Sequence, residues 1–158
     1  MNENEIREAV AKAVTKIRAS KEMTLDAARE LSRAVMQEAR RIGVKAVVCV
    51  SDAAGYPKLV ESADEAYIAS YDIAVNKAFT VVSLKMPTSK LKKLAQPGAE
   101  LYGIQFTNGG KIVIFGGGEV LNAPNGNIVG GLGVSGGSEA QDTALAEYGK
   151  KYFETKII

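Results

Sequence analysis

The sequence predicts an α+β domain: a mostly antiparallel sheet with helices packed on it. Stripes of apolar residues at helical spacing are separated by short apolar runs, and turn signals join those runs closely enough to make hairpins rather than crossovers. The expected order is α-α-β-β-α-α-β-β-β-α. At 158 residues the chain makes one domain, with a core that needs no disulfide or metal staple.

Residues 3–18 read as a short amphipathic helix, with Ile6, Val10, Ala13, Val14 and Ile17 on one stripe. Its acids come first and Lys12, Lys16 and Arg18 come last, which suits the helix dipole. The polar break Ala19-Ser20-Lys21-Glu22 divides the chain into a helix and linker (1–22) and a domain (23–158). Thr24 caps a second helix with Leu25, Ala28, Leu31, Val35, Ala39 and Ile42 as its buried stripe, and Gly43 ends it. Val44 to Ser51 is an apolar strand, Asp52-Ala53-Ala54-Gly55 a turn, and Tyr56 to Glu61 the returning strand, with Pro57 marking an edge or a strand start.

A third helix is expected from Asp64 to about Leu84, with Ile68, Tyr71, Val75, Ala78, Phe79 and Val82 facing inward. A short basic helix follows from Thr88 or Ser89 to Ala95, and Pro97-Gly98 breaks it. In the last third, Asn108-Gly109-Gly110 joins two expected strands, Leu101 to Phe106 and Lys111 to Phe115, as a hairpin. Gly116-Gly117-Gly118 reads as a loop or bulge, Asn125-Gly126 as a turn, and Ile128 to Val134 as a further strand. Ser138 caps the final helix, and Gln141 completes a capping box.

Composition excludes several functions. The chain has no histidine, which removes His-based acid–base catalysis, the Ser-His-Asp and Cys-His triads, and most zinc and haem ligand sets. A net charge of +2 without a basic stripe argues against nucleic acid. No apolar run approaches the roughly 20 residues that span a bilayer, and the first residues are too acidic for a secretory signal. The single cysteine, Cys49, fits a reducing cytoplasm.

Gly131, Gly133 and Gly136 spell GxGxxG before a helix, the pattern of dinucleotide binding. That motif belongs to a βαβ unit with an acid about 20 residues on, and here the remainder is a single helix. Other segments give these glycines a context. They are Asp52-Ala53-Ala54-Gly55 after its strand; Ala69-Ser70-Tyr71-Asp72-Ile73-Ala74-Val75-Asn76-Lys77-Ala78-Phe79-Thr80; Pro97-Gly98 with Leu101-Tyr102-Gly103 and then Lys111 to Gly118; and Ile128 to Gly137 with Gln141-Asp142. In this order they resemble the GlcG/HbpS-like family, which includes the C-terminal domain of PduO, over about Thr24 to Phe153. The resemblance implies a five-stranded antiparallel sheet with flanking helices, homo-oligomers, and a small ligand. That ligand would be a tetrapyrrole, haem or a corrinoid, in a setting of diol, glycolate or cobalamin metabolism.

The candidate ligand-binding residues are Lys77, Gly116, Gly117, Gly136 and Gly137, expected to line one pocket. Lys77 is either a snorkelling surface lysine or a cation that meets a ligand carboxylate. The glycine bends either offer amides to an anion at a helix N-terminus or allow tight strand-to-helix packing. Cys49 is the candidate haem-iron ligand, with packing as its alternative role. Met23, Met36 and Met86 offer sulfur, and Tyr67 and Tyr71 a phenolate. No catalytic residue is assigned. The leading expectation is a small-ligand-binding module rather than an enzyme. The alternatives are an accessory enzyme acting on a corrinoid or small hydroxy acid, with Lys77 and Asp52 as its polar groups, and a structural subunit. Residues 3–18 also resemble the encapsulation peptides that direct enzymes into bacterial microcompartments, which would make a shell or its cargo the partner. The other expectation is a helix docked on its own domain or on a neighbouring subunit.

Overall fold

A computed structural model describes residues 2–158. The order is α1 (Glu3–Ala19), α2 (Leu25–Arg41), β1 (Val47–Asp52), β2 (Pro57–Ser62), α3 (Ile68–Leu84), α4 (Thr88–Leu94), β3 (Gly118–Asn122), β4 (Ile128–Ser135) and α5 (Glu139–Tyr152). The strands form an antiparallel sheet in the order β2-β1-β4-β3. Pro57 is the first residue of edge strand β2, where its missing N–H breaks no ladder.

The sheet separates two layers. Strand alternation sends Val48, Val50, Leu132 and Val134 to one face, where they meet Leu31 and Val35 of α2, Leu145 of α5, and Phe153. Each fully buried large side chain there stabilises the fold by about 1.5–3 kcal/mol. Thr24 accepts the Ala27 N–H at 3.2 Å and starts α2 as its sequence predicts, although Leu25 stays 42 % exposed. The opposite face carries Val47 and Cys49 against Ala74 and Ala78 of α3. There β4 presents Gly131 and Gly133, and a methyl group at Gly133 would collide with the Ala74 carbonyl. The glycine pattern therefore serves helix-to-sheet contact in an antiparallel sheet, and no βαβ unit is present among the described residues.

That close approach corrects part of the expected face of α3: Ala78 is buried as expected, but Ile68 and Tyr71 are not. The buried residues are Ser70, Ala74, Lys77, Ala78, Thr80 and Val81, while Ile68 is 98 % and Tyr71 55 % exposed. The backbone of Ala74 and Ala78 lies over Gly133, and Val81 and Val82 lie over Gly131, while Ile68 and Tyr71 stay outside the contact.

The five-stranded expectation is also corrected: the sheet has four strands. No hairpin joins Leu101–Phe106 to Lys111–Phe115. Asn108, Gly109 and Gly110 are all left-handed, with φ of 52°, 64° and 77°, so the chain curls into a 3-10 turn instead of reversing. A second such turn holds Ile104–Phe106 behind the left-handed Gly103. The following segment lies against a helix, its Val113 N–H donating to the Thr80 hydroxyl at 3.0 Å. The missing strand begins where a glycine loop was expected: Gly118 opens β3 and pairs with Gly133.

α1 stands apart from this architecture. Its capping box forms, with Glu5 N–H donating to Asn2 Oδ1 at 2.9 Å and Asn2 N–H to Glu5 Oε2 at 2.7 Å. Ala19 is its one buried residue.

Candidate functional site

Ser138 caps α5 as expected. Its hydroxyl accepts the Gln141 N–H at 3.2 Å, and Gln141 accepts the Ser138 N–H at 2.9 Å. This fixes the first turn of α5 and aims two of its acids at the glycine bends. Asp142 accepts the Gly137 N–H at 2.9 Å, and Glu139 accepts the Gly116 N–H at 3.0 Å. Lys92 of α4 donates to the other Glu139 oxygen at 2.6 Å. That bond and the Gly116 amide hold the Glu139 carboxyl below its ordinary range.

Lys77 is no surface lysine. Its side chain is fully buried, and Nζ donates to the Val134 carbonyl at 2.7 Å and to Asp142 Oδ2 at 3.2 Å. The Phe115 ring covers it, with the centroid 4.9 Å from Nζ. A methyl group at Gly117 would lie 2.6 Å from the same Nζ, so this glycine makes room for the ammonium. The structure thus gathers Lys77, Gly116, Gly117, Gly136 and Gly137 around the first turn of α5. Asp142 and Glu139 supply the negative charge that the amides and the lysine address.

Burial pushes the Lys77 ammonium below the ordinary lysine value of 10.5, partly offset by Asp142 and then Glu139. It also pushes Asp142 above 3.8, against the pull of Lys77 and of the Gly137 and Gly136 amides. A lysine with a lowered folded pKa contributes stability above its unfolded pKa and loses it as pH falls through the folded value. Wild-type stability should therefore climb relative to Lys77→Met as pH rises from neutrality toward 10.5. Urea midpoints of both chains across that range check this; a constant gap would contradict it.

A cleft of about 390 Å³ opens beside this network. Tyr67, Ile73 and Phe115 give it apolar walls, and Gly136, Gly137 and Asp142 line it too. Lys77, Gly116 and Gly117 are buried and do not line it. Tyr67, Gly136 and Gly137 continue into an adjoining groove with Lys45. Cys49 is elsewhere: fully buried against α3, with its thiol pushed up to about 12 by burial. Asp52 accepts the Ala54 and Tyr56 N–H groups at 2.9 and 3.0 Å and closes a turn at the far end of β1 from Lys77. No Lys77–Asp52 pair is assembled. Among the described residues no cluster of acids and Cys49 has the makings of a metal site. No helix is long and apolar enough to cross a membrane.

Sequence reasoning left Asp142, Glu139 and Phe115 without roles. The signal for the two acids was available, since carboxylates in the first turn of a helix that follows a glycine bend are placed to accept that bend's amides.

A model of the family described as "Haem degrading protein HbpS-like" matches residues 23–151. An uncharacterised 15.0 kDa protein of the dhaT-dhaS intergenic region of Citrobacter freundii is 44 % identical over 125 residues, covering 79 % of this chain and 87 % of that one. Corrinoid adenosyltransferase PduO of Salmonella typhimurium is 40 % identical over 118 residues, covering 75 % of this chain but only 35 % of PduO. The crystal structure of a PduOC–haem complex superimposes with a TM-score of 0.79 at 36 % identity, covering 82 % of this chain and 94 % of that one. On these matches the chain belongs to the HbpS-like family of haem-degrading proteins.

Proposed function

We propose that this chain binds haem at the cleft beside the α5 N-terminus. The observation that carries the reading is the pairing of apolar walls, Tyr67, Ile73 and Phe115, with a rigid polar wall at Gly136, Gly137 and Asp142. A flat macrocycle needs the first, and a defined binding pose needs the second. The relative solved with haem supports the choice of ligand.

The residues fit the group, with an unusual donor set. Histidine is absent, and Cys49 is sealed in the sheet. Tyr67 is 72 % exposed at the cleft mouth and offers a phenolic oxygen, a known class of haem ligand. Lys45 in the adjoining groove is ion-paired with Glu65, and a haem carboxylate would have to take the place of Glu65 to meet it. Haem, when bound, supplies iron redox chemistry; this chain supplies the walls, the oxygen donor and the cation. Lys77 acts from behind the cleft by holding Asp142, part of its polar wall, in place.

A corrinoid is the second ligand to test, because PduO is named for corrinoid chemistry. A second location has its own support. A groove of about 530 Å³ between α2 and β2 is lined by Arg29, Arg33, Arg40, Met36 and Leu59, joining guanidinium groups to a thioether and an apolar side chain.

Absorbance titration with haem and with cobalamin tests the reading. Haem should bind the wild-type chain, and Tyr67→Phe should alter the Soret band and weaken binding about tenfold, or ~1.4 kcal/mol. Cys49→Ala should bind like wild type. A Tyr67→Phe spectrum superimposable on wild type, together with unchanged binding by Ile73→Asp, would refute the cleft. Loss of binding in Arg33→Ala instead would move the site to the α2 groove.

A further inference from the structure

The exposed face of α2 carries its cations in a pattern that works against the helix. Arg29 and Arg33 are four residues apart, a like-charge spacing that destabilises a helix, and Arg40 stands two turns beyond Arg33 on the same face. The acids of α2 and the neighbouring Glu61 are engaged elsewhere. Asp26 meets Arg29 at 3.5 Å, Glu30 accepts the Tyr152 hydroxyl at 3.4 Å, Glu38 accepts from Arg41 at 2.6 Å, and Glu61 accepts the Ser32 hydroxyl. Arg33 and Arg40 make no ion pair among the described residues. Both line the groove of about 530 Å³ between α2 and β2, where Arg29 joins them and Glu61 is the one carboxylate. Three arginines against one glutamate leave a surplus of two positive charges. An adjoining groove with Tyr152 shares Arg29 and Arg33 and is where Asp26 and Glu30 lie, so the surplus is confined to the β2 side.

We propose that this groove is a phosphate site, which takes a phosphorylated small molecule independently of the cleft beside α5. Its volume is that of a small-molecule site. No aromatic side chain lines it, so the guanidinium groups, and not stacking, select the occupant. Arg33 and Arg40 are about 10 Å apart along the helix axis. Two arginine side chains close that span by leaning toward Gln37, which lies between them and adds an amide donor. Each planar fork can then take its own edge of one phosphate group. A carboxylate has a single edge and satisfies one fork. A phosphate dianion also matches the surplus of two charges. Met36 and Leu59 offer a surface to the non-polar part of the same ligand.

Calorimetric titration of the full chain with inorganic pyrophosphate tests the proposal. Wild type should bind it, and Arg33→Gln/Arg40→Gln should bind it about 100-fold more weakly. Both arginines are exposed and glutamine keeps helix propensity, so a loss reads the site rather than the fold. Arg33→Lys/Arg40→Lys keeps the charges without the forks and should lose about tenfold. Citrate, an anion of carboxylates alone, should bind wild type about tenfold more weakly than pyrophosphate. Saturating haem should leave the pyrophosphate affinity unchanged. Equal binding by wild type and the glutamine variant would overturn the proposal, and so would full retention in the lysine variant or citrate binding as tight as that of pyrophosphate. Displacement of pyrophosphate by haem would overturn it too, because the groove would then be the haem site. Failure of haem to bind at the cleft is read separately by absorbance and leaves the pyrophosphate comparison intact.

Discussion

Replacing Asp142 by alanine is expected to destabilise the fold by about 3–5 kcal/mol, because it leaves an ammonium buried without its counter-ion. Lys77 is 0 % exposed, and after the substitution its Nζ would keep the Val134 carbonyl, the Phe115 ring and the more distant Glu139 charge. The Gly137 N–H would lose its acceptor in the same step. At about 2–4 °C per kcal/mol, the melting temperature should fall by roughly 6–20 °C. Asp142→Asn should cost less, since the amide oxygen still accepts from Gly137. The pair itself contributes little net stability, because burial disfavours both charges. Replacing both residues together, Lys77→Met with Asp142→Leu, should therefore recover most of the loss. Chemical denaturation of the single and double variants measures this. An Asp142→Ala midpoint within about 1 kcal/mol of wild type would show that Lys77 does not depend on it. Haem affinity should fall in Asp142→Ala as well, since Asp142 and Gly137 both line the cleft.

What the chain discloses before folding follows the range of the forces involved. Local signals were legible: Thr24 and Ser138 cap the helices they precede, and the α2 residues Ala28, Leu31, Val35 and Ala39 are buried. Long-range pairing was not. Asn108-Gly109-Gly110 is a strong hairpin signal, but a hairpin needs two strands with free ladders, and Gly103 breaks the first while Thr80 takes the backbone of the second. Gly118 reads as loop because glycine weakens strands, yet it pairs with Gly133 beneath Thr88 and Val81, where no side chain fits. The site shows the same division. Lys77 and the glycine bends were identified from the chain, but their partner Asp142 lies 65 positions from Lys77, and only the packing of α3 on β4 joins them.

That packing makes Gly133→Ala the other large expected effect. Gly133 lies in the middle of the sheet, paired with Cys49 on one side and Gly118 on the other. Its missing side chain would point at α3, into the Ala74 carbonyl, with the Ala78 nitrogen 2.8 Å away. Backbone atoms cannot rotate aside, so the methyl group must lift α3 from β4. Overpacking of a rigid core costs typically 1–3 kcal/mol, and a collision with main chain belongs near about 3 kcal/mol. The cost extends to the site. Lys77 lies between Ala74 and Ala78 in sequence, and its reach to Val134 and Asp142 depends on the separation of α3 from the sheet. Gly133→Ala should therefore weaken haem binding even though residue 133 is absent from the cleft lining. Thermal melting and haem titration of the one variant read both effects. A stable Gly133→Ala protein that binds haem normally would mean that α3 tolerates displacement, and the cleft would then owe its shape to the α5 turn alone.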